Sequence, residues 1–126
     1  MRDDDLIKLR VELDLETAKS EEEQFQNEVL RPIIKYQALV IANIYKSYLI
    51  KNKVPLNQLS ITDYNRRIRT DLIGNKVLST LLIGAIVGLL TIDELNFYLD
   101  NNKDVNKRII SMVSQRLKDQ FYLVFP

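Results

Sequence analysis

The sequence predicts an all-α protein, a compact bundle of about four helices, and three observations support this class. Only three glycines and three prolines occur among 126 residues, which suits long helices better than a sheet with many turns. Apolar residues recur at three- and four-residue spacing through most of the chain. Helix-capping sequences stand where these periodic segments begin. The length of the chain is that of one domain, which buries roughly two-thirds of the surface of its unfolded chain.

The first segment does not follow the helical pattern. Residues 7–15 alternate strictly between apolar and charged side chains, as a strand with one buried face does. We therefore assign residues 1–19 to an N-terminal arm, extended or a short strand, and residues 20–126 to a single helical domain. The strand would pair with residues 121–125 or with the same arm of a second chain. A short helix that uses Leu6, Leu9 and Leu13 is the alternative.

The longest periodic segment, at about residues 21–52, is predicted to be one long helix. Ser20 is a suitable capping residue, and the acids after it suit the first turn of a helix. Because proline lacks a backbone N–H, we expect the helix either to kink at Pro32 or to meet a second helix there. Residues 38–42 are apolar on every side, which predicts a segment surrounded by neighbours.

A connector at residues 51–60 leads to a helix that Thr62 is expected to cap. This helix continues into residues 77–92, which carry no charge. Sixteen residues span about 24 Å, less than a membrane-crossing helix needs, so the stretch is predicted to be a core helix. It is expected to end near Gly88, with Gly84 and Gly88 permitting a tight helix crossing inside the core.

Two helices are predicted in the last third of the chain. Thr91 followed three residues later by Glu94 matches the capping box, so one helix begins there and ends near residues 100–102. The final helix is predicted from its apolar residues at helical spacing, which are Val105, Ile109, Met112, Val113, Leu117 and Phe121. Most of the tyrosines are expected at the core edge, with their hydroxyls in water.

Composition argues against most catalytic chemistry. The chain has no histidine and no cysteine, which excludes zinc sites built on those residues and thiolate nucleophiles. We predict no catalytic residue, no cofactor and no metal. The net charge of +1 gives no long-range attraction for nucleic acid or anionic lipid, and no membrane partner is expected. The N-terminus resembles no secretory signal, so a cytoplasmic location is expected.

Basic residues and one helix pair raise the possibility of nucleic-acid binding. The candidate basic patch consists of Arg66, Arg67, Arg69 and Lys107. Residues 91–118 can be read as a helix-turn-helix whose turn is at residues 100–103. Its second helix would offer Asn106, Lys107, Ser111 and Gln115 to the major groove. The turn lacks a glycine and the net charge is nearly neutral, so we rank this partner as unlikely.

Three segments carry sequence motifs of another kind: EEQFQNEVLRPIIKYQ at residues 22–37, GxxTxxE at residues 88–94 and NKRIISMVSQRLKDQ at residues 106–120. In these segments the chain resembles a family of short helical bacterial proteins without an assigned activity, some of which carry a glyoxalase label. The resemblance implies a candidate surface at the motif positions Gln24, Asn27, Arg31, Gln37 and Arg108. The label implies a metal-dependent enzyme, and the lack of His and Cys disfavours it.

The residues favour a non-enzymatic helical-bundle protein that acts through protein–protein contacts, with a homodimer as one form. The long helix has more apolar faces than one neighbour would cover, and the N-terminal strand has no evident partner in its own chain. Nucleic-acid binding through residues 91–118 and an enzyme of the glyoxalase label are the alternatives.

Overall fold

The computed structural model describes residues 1–10 and 21–121, and within these residues the chain is all-α and has no β-strand. The α-helices are α1 (Arg2–Lys8), α2 (Glu21–Phe25), α3 (Arg31–Tyr36), α4 (Ala38–Lys51), α5 (Ile61–Gly74), α6 (Lys76–Val87), α7 (Ile92–Asp100) and α8 (Asn102–Asp119). A π-helical turn, Gln26–Leu30, joins α2 to α3. The predicted class is confirmed, but the helices are more numerous and shorter than the four expected.

Helix α8 lies at the centre of the bundle. It contacts α3, α4, α5, α6 and α7. Its residues Val105, Ile109, Val113 and Leu117 are each at most 2% exposed, and their four-residue spacing places them on one face of the helix. The predicted last helix is thus confirmed, and its apolar face forms the middle of the core.

Residues 21–52 do not form one long helix, because the chain departs from α-helical geometry twice. Of the two alternatives at Pro32, a second helix meets the first there, since α3 begins at Arg31 with Pro32 in its first turn. The first departure is the π-helical turn, in which the N–H of Arg31 bonds the carbonyl of Gln26. This wider turn comes just before Pro32, whose ring would collide with the carbonyl four residues earlier in a regular helix. The second is Gln37, where φ −89° and ψ 13° separate α3 from α4. The predicted cap Ser20 lies outside the described residues.

The helix predicted to run from Thr62 to Gly88 is also divided. Its N-cap is Ser60 rather than Thr62, because the Ser60 hydroxyl accepts a hydrogen bond of 3.1 Å from the Asp63 N–H. Asn75 adopts an extended backbone and its side chain caps α6, so α5 and α6 meet there at 91°. The predicted capping box is confirmed, since the Thr91 hydroxyl and the Glu94 carboxylate each bond the other's backbone N–H.

The N-terminal segment is helical where it is described, so the predicted strand is wrong for Ile7 and Lys8, and residues 11–15 lie outside the described residues. The alternative short helix is confirmed for Leu6, and Leu9 caps the end of that helix; both line a small cavity together with Ile33 and Leu89. Of the proposed pairing segment 121–125, Phe121 is helical and the rest is not described. The division into residues 1–19 and 20–126 stays a prediction.

Polar contacts join α1 to the junction between α6 and α7. Arg10 binds both carboxylate oxygens of Glu94, with Nη1 at 2.8 Å from Oε2. Arg2 donates to the Gly88 carbonyl at 3.2 Å, and the Ile92 N–H lies 3.4 Å from Asp3 Oδ2. The bidentate pair is the strongest kind of side-chain contact between a guanidinium and a carboxylate. It fixes the N-terminal segment to the first turn of α7.

Two predictions about buried segments need correction. In residues 38–42, Ile41 and Ala42 are buried, but Leu39 and Val40 are exposed. Helix α6 buries Leu78, Leu82 and Ile86 and leaves its other faces largely open, so the predicted core helix is confirmed for one face only. Gly84 and Gly88 do not form a tight crossing. Gly84 has open space around it, and the nearest atom to Gly88 is the Gly84 carbonyl oxygen of the same helix.

The Arg10–Glu94 pair makes a prediction about acid stability. Burial alone would raise the pKa of Glu94, but hydrogen bonds and charge from Arg10, with those from Thr91, outweigh burial and lower it. Glu94→Gln should therefore reduce the free energy of unfolding by about 1–3 kcal/mol at pH 7. Because the folded pKa is lowered, the stabilisation is present above the ordinary value of 4.5 and is lost as the pH falls through the folded pKa.

Urea titrations of both proteins at pH 7 and near pH 3 measure this difference. Asp93→Asn is the matched control, because Asp93 is an exposed acid in the same helical turn. Equal stability losses for the two variants at pH 7 would contradict the assigned role of the pair.

Candidate functional site

A groove of about 760 Å³ lies between α4 and α6 and is mainly apolar. Four of its aliphatic lining residues are exposed: Leu39 (62%), Val40 (43%), Val77 (81%) and Leu81 (55%). Ile44, Tyr48 and Leu78 line its deeper part and pack against the core. Among the described residues that line the groove, Lys51 alone carries a charge. The groove is therefore an apolar surface with little charge. Contiguous exposed apolar surfaces of this kind mark contact sites.

Three asparagine side chains at the edge of this groove use only part of their hydrogen-bonding capacity among the described residues. Asn43 and Asn52 each donate to a backbone carbonyl of α4, at 2.7 Å and 2.8 Å. Asn75 instead accepts, from the Leu78 N–H at 3.0 Å. Within the described part of the chain, the side-chain oxygens of Asn43 and Asn52 and the side-chain nitrogen of Asn75 have no hydrogen-bond partner. The groove thus offers two acceptors on one wall and a donor on the other.

A second cleft, of about 610 Å³, is formed by α5, α6 and α8. Its charged lining residues are Arg69, Lys107 and Lys118, and no carboxylate is among the described residues that line it. Ser79, Ser111, Ser114, Asn106 and Gln115 supply hydroxyl and amide groups. Leu72, Ile73 and Ile110 supply its apolar surface. Chemically, this cleft is suited to an anion with an apolar body.

A buried carboxylate lies between α4 and α5. Asp71 is 7% exposed and accepts hydrogen bonds from the hydroxyls of Tyr45, at 2.8 Å, and Tyr48, at 3.3 Å. Arg67 Nε lies 3.2 Å from Asp71 Oδ2, close enough for an ion pair although its N–H is not aligned for a hydrogen bond. Three partners therefore compensate the buried charge. Tyr48 also lines the α4–α6 groove, so this cluster fixes one wall of the groove.

Two tyrosines are fully buried and are exceptions to the expectation that most tyrosines lie at the core edge. Tyr45 and Tyr64 are each 0% exposed, and the Tyr64 hydroxyl donates to the Leu117 carbonyl at 2.9 Å. Burial raises the pKa of Tyr45, and the nearby Asp71 charge and hydrogen bond raise it further. Burial likewise raises the pKa of Tyr64. Both hydroxyls therefore act as donors that join helices, not as groups in contact with water.

The structure does not gather the five motif residues into one site. Gln24 bonds Glu28 and Arg31 bonds Asn27 on the exposed side of the same helical segment. The other two reach across the bundle. Arg108 donates to the Gln26 side-chain oxygen at 2.6 Å, which ties α8 to the π-helical turn.

Gln37 has a clear structural role. Its side-chain nitrogen donates to the Ala85 carbonyl at 2.9 Å. That carbonyl would ordinarily bond the Leu89 N–H, but the Leu89 N–H bonds the Ile86 carbonyl at the end of α6. Gln37 therefore satisfies an unpaired carbonyl at the end of α6 from the break between α3 and α4.

The candidate basic patch is likewise divided. Arg66 lies 3.7 Å from Asp63 on the exposed side of α5, whereas Arg67 pairs with buried Asp71. Arg69 and Lys107 are brought together in the α5–α8 cleft. Position on the helix explains the division, because consecutive residues of an α-helix point in different directions.

The residues proposed for a helix-turn-helix are found together in that cleft. Asn106, Lys107, Ser111 and Gln115 all line it. Helices α7 and α8 are separated by Asn101 alone, and the Asn106 side chain accepts a hydrogen bond of 2.7 Å from Tyr98. These four side chains thus face a cleft shared with α5 and α6. Nucleic-acid binding through residues 91–118 stays a prediction.

The described residues contain neither a cluster of acidic metal ligands nor a single membrane-spanning helix. No group of three or more acidic side chains in residues 1–10 and 21–121 is placed to hold a metal ion. No single described helix is both long and apolar enough to cross a membrane, and the one helix pair that passes on length and composition, α5 with α6, is bent by 91°.

Comparison with known proteins returns nothing: no family model, no curated protein and no solved structure matches this chain. The resemblance at residues 22–37 therefore stays a prediction.

Sequence reasoning missed three groups of residues that shape the groove and the cleft: exposed aliphatic side chains, a buried aspartate and two serines. The sequence predicts that Leu39, Val77 and Leu81 lie in the core. Two neighbouring helices are apolar on most faces, however, and this indicates more apolar surface than a small bundle covers. Asp71 was overlooked because a single aspartate within a polar helix carries no distinctive pattern. Ser79 and Ser114 join the cleft only through the packing of α5, α6 and α8.

The buried tyrosines lead to a prediction about alkaline stability. Tyr45→Phe removes the shorter hydrogen bond to Asp71, and we expect it to lower the free energy of unfolding by about 1–3 kcal/mol near pH 7. Because the folded pKa of Tyr45 is raised above its ordinary value of 10.0, its stabilising contribution is present below pH 10 and is lost as the pH rises. The wild-type protein should thus lose stability above pH 10 more steeply than the variant.

Urea titrations at pH 7 and above pH 10 test this. Tyr48→Phe, which removes the longer hydrogen bond, is the control and should have the smaller effect at both pH values. The same alkaline slope in wild type and Tyr45→Phe would contradict the assignment.

Proposed function

We propose that this chain is a non-enzymatic helical-bundle protein that acts through protein–protein contacts, and that the α4–α6 groove binds a second copy of the chain to form a homodimer. The observation that carries the proposal is the set of four exposed aliphatic side chains beside the groove, Leu39, Val40, Val77 and Leu81. The cytoplasmic location expected from the N-terminal sequence belongs to the same proposal.

The arrangement of apolar groups supports a twofold contact. Each copy carries the four exposed side chains and also the groove beside them. A twofold axis brings the same patch of two copies together. The exposed residues of one copy can therefore enter the groove of the other. Val77 and Leu81 are four residues apart on α6, so they lie on one face and enter together.

The unused amide groups support the same occupant. Asn43 and Asn52 offer side-chain oxygens on the α4 wall, and Asn75 offers a side-chain N–H at the start of α6. We propose that the twofold axis runs along the groove, which places the α4 wall of one copy opposite the α6 wall of the other and brings donors to acceptors. A second copy can thus satisfy polar groups that its own chain leaves unpaired.

Charge also favours a second copy over a strongly charged partner. Lys51 is the one charged residue among the described residues that line the groove, and it is exposed. Two copies therefore meet with little repulsion, and an acidic or basic partner would find no complementary field.

Sedimentation of the purified protein tests the proposal. We expect a dimer at micromolar concentration, and we expect Leu81→Glu to shift the dissociation constant by at least tenfold, because it places two carboxylates in the apolar contact. Leu99→Glu is the matched control, since Leu99 is 58% exposed, close to the 55% of Leu81, and lies outside the groove.

A strict monomer at high micromolar concentration would overturn the homodimer. Equal weakening by Leu81→Glu and Leu99→Glu would show that the copies associate through another surface. Circular dichroism of each variant verifies that the helices are retained.

A further inference from the structure

The α5–α8 cleft has an uncompensated positive charge. Arg69, Lys107 and Lys118 line it, and none of them forms an ion pair within the described residues. The other two arginines of α5 both have acidic partners, since Arg66 lies 3.7 Å from Asp63 and Arg67 lies 3.2 Å from Asp71. No described carboxylate lines the cleft with these three cations, so its local charge favours an anion, although the whole chain is nearly neutral.

The cations follow the long axis of the cleft. Lys107 and Lys118 are eleven residues apart, which is three turns of α8, so they share a face and are separated by about 16 Å along the helix. The hydrogen bond from Tyr64 to the Leu117 carbonyl places the start of α5 beside the end of α8, so the two helices run in opposite directions. Arg69, about 7 Å further along α5, therefore lies between the two lysines.

The middle of the cleft is of mixed character. Leu72, Ile73 and Ile110 provide apolar surface, and Ile73 is 70% exposed there. Ser111 and Ser114 provide hydroxyl groups between the two lysines along α8. A volume of about 610 Å³ lies within the range of small-molecule sites. Lys107 and Lys118 thus place a positive charge at each end of the cleft, and the apolar surface and Arg69 lie between them.

We propose that the α5–α8 cleft binds a small organic molecule that carries two phosphate groups joined by an apolar section. One phosphate pairs with Lys107 and the other with Lys118 and Arg69, while the apolar section lies against Leu72, Ile73 and Ile110. The serine hydroxyls donate to phosphate oxygens. This site is separate from the α4–α6 groove, so the proposal does not depend on the homodimer.

The lining favours a small molecule over nucleic acid. Proteins that bind single strands stack bases on aromatic side chains, and no aromatic residue is among the described residues that line the cleft. In a helix-turn-helix, bases are read by the start of an exposed recognition helix, whereas Ser111, Ser114 and Gln115 are in the second half of α8.

Isothermal titration calorimetry of the full chain with hexane-1,6-diyl bisphosphate tests the site. We expect this probe to bind at least tenfold more tightly than inorganic phosphate or hexane-1,6-diol, since neither contains both parts that the cleft contacts. Lys107→Glu and Lys118→Glu should each weaken binding at least tenfold. Lys103→Glu is the control with the same charge change, because Lys103 is exposed on α8 outside the cleft, and it should change affinity less than twofold.

Four outcomes would overturn the proposal. The bisphosphate could fail to bind, or it could bind no more tightly than inorganic phosphate. Lys103→Glu could weaken binding as much as Lys107→Glu, which would indicate a diffuse charge effect. An eight-nucleotide oligothymidylate could bind more tightly than the bisphosphate, with affinity falling steeply as salt is added, which would assign the cleft to nucleic acid. Circular dichroism of each variant separates lost binding from lost folding.

Discussion

The burial of one face of α8 is the constraint on which the rest of the structure depends. Val105, Ile109, Val113 and Leu117 are almost completely removed from water, so other helices must surround α8 on that side. The helices that contact α8 are α3, α4, α5, α6 and α7. Specific side chains hold some of these helices in place. The Tyr64 hydroxyl ties α5 to the end of α8, and Arg108 ties the π-helical turn to its middle. The opposite face of α8 remains exposed at Lys107, Ser111, Gln115 and Asp119.

Both grooves follow from this arrangement. Helices α4 and α6 use one face each for the core, and because both are apolar on several faces, the surplus side chains Leu39, Val40, Val77 and Leu81 meet water beside each other. The exposed stripe of α8 is polar instead, and α5 and α6 frame it as the cationic cleft. The first surface suits an apolar partner and the second an anion. A small bundle thus carries two chemically different surfaces, neither of which requires a histidine or a cysteine.

Much of the helical core could be predicted from the sequence, whereas the surfaces could be predicted only in part. The spacing from Val105 to Leu117 and the Thr91–Glu94 capping box are local patterns, and both were confirmed. The breaks at Gln37 and Asn75 were missed because apolar spacing continues across them, while the backbone there changes direction. Hydrophobicity of Leu39 or Val77 does not reveal whether a neighbour covers the residue. Lys107, Ser111 and Gln115 were identified by their helical spacing, but Arg69 and Ser79 join them only through tertiary packing, and Arg10 finds Glu94 across 84 residues of sequence.

The absence of cysteine makes a direct measurement of the α4–α6 contact possible, because a single introduced cysteine accepts a spin label at one known position. Lys51→Cys places the label at the exposed edge of the groove, and Lys103→Cys places it on α8 away from the groove. Pulsed electron paramagnetic resonance then measures the distance between labels on two copies. We expect a short, well-defined distance for the label at position 51 and a longer one for the label at position 103. No dipolar coupling at position 51 at high micromolar concentration, or a shorter distance at position 103, would contradict the claim that two copies meet at this groove.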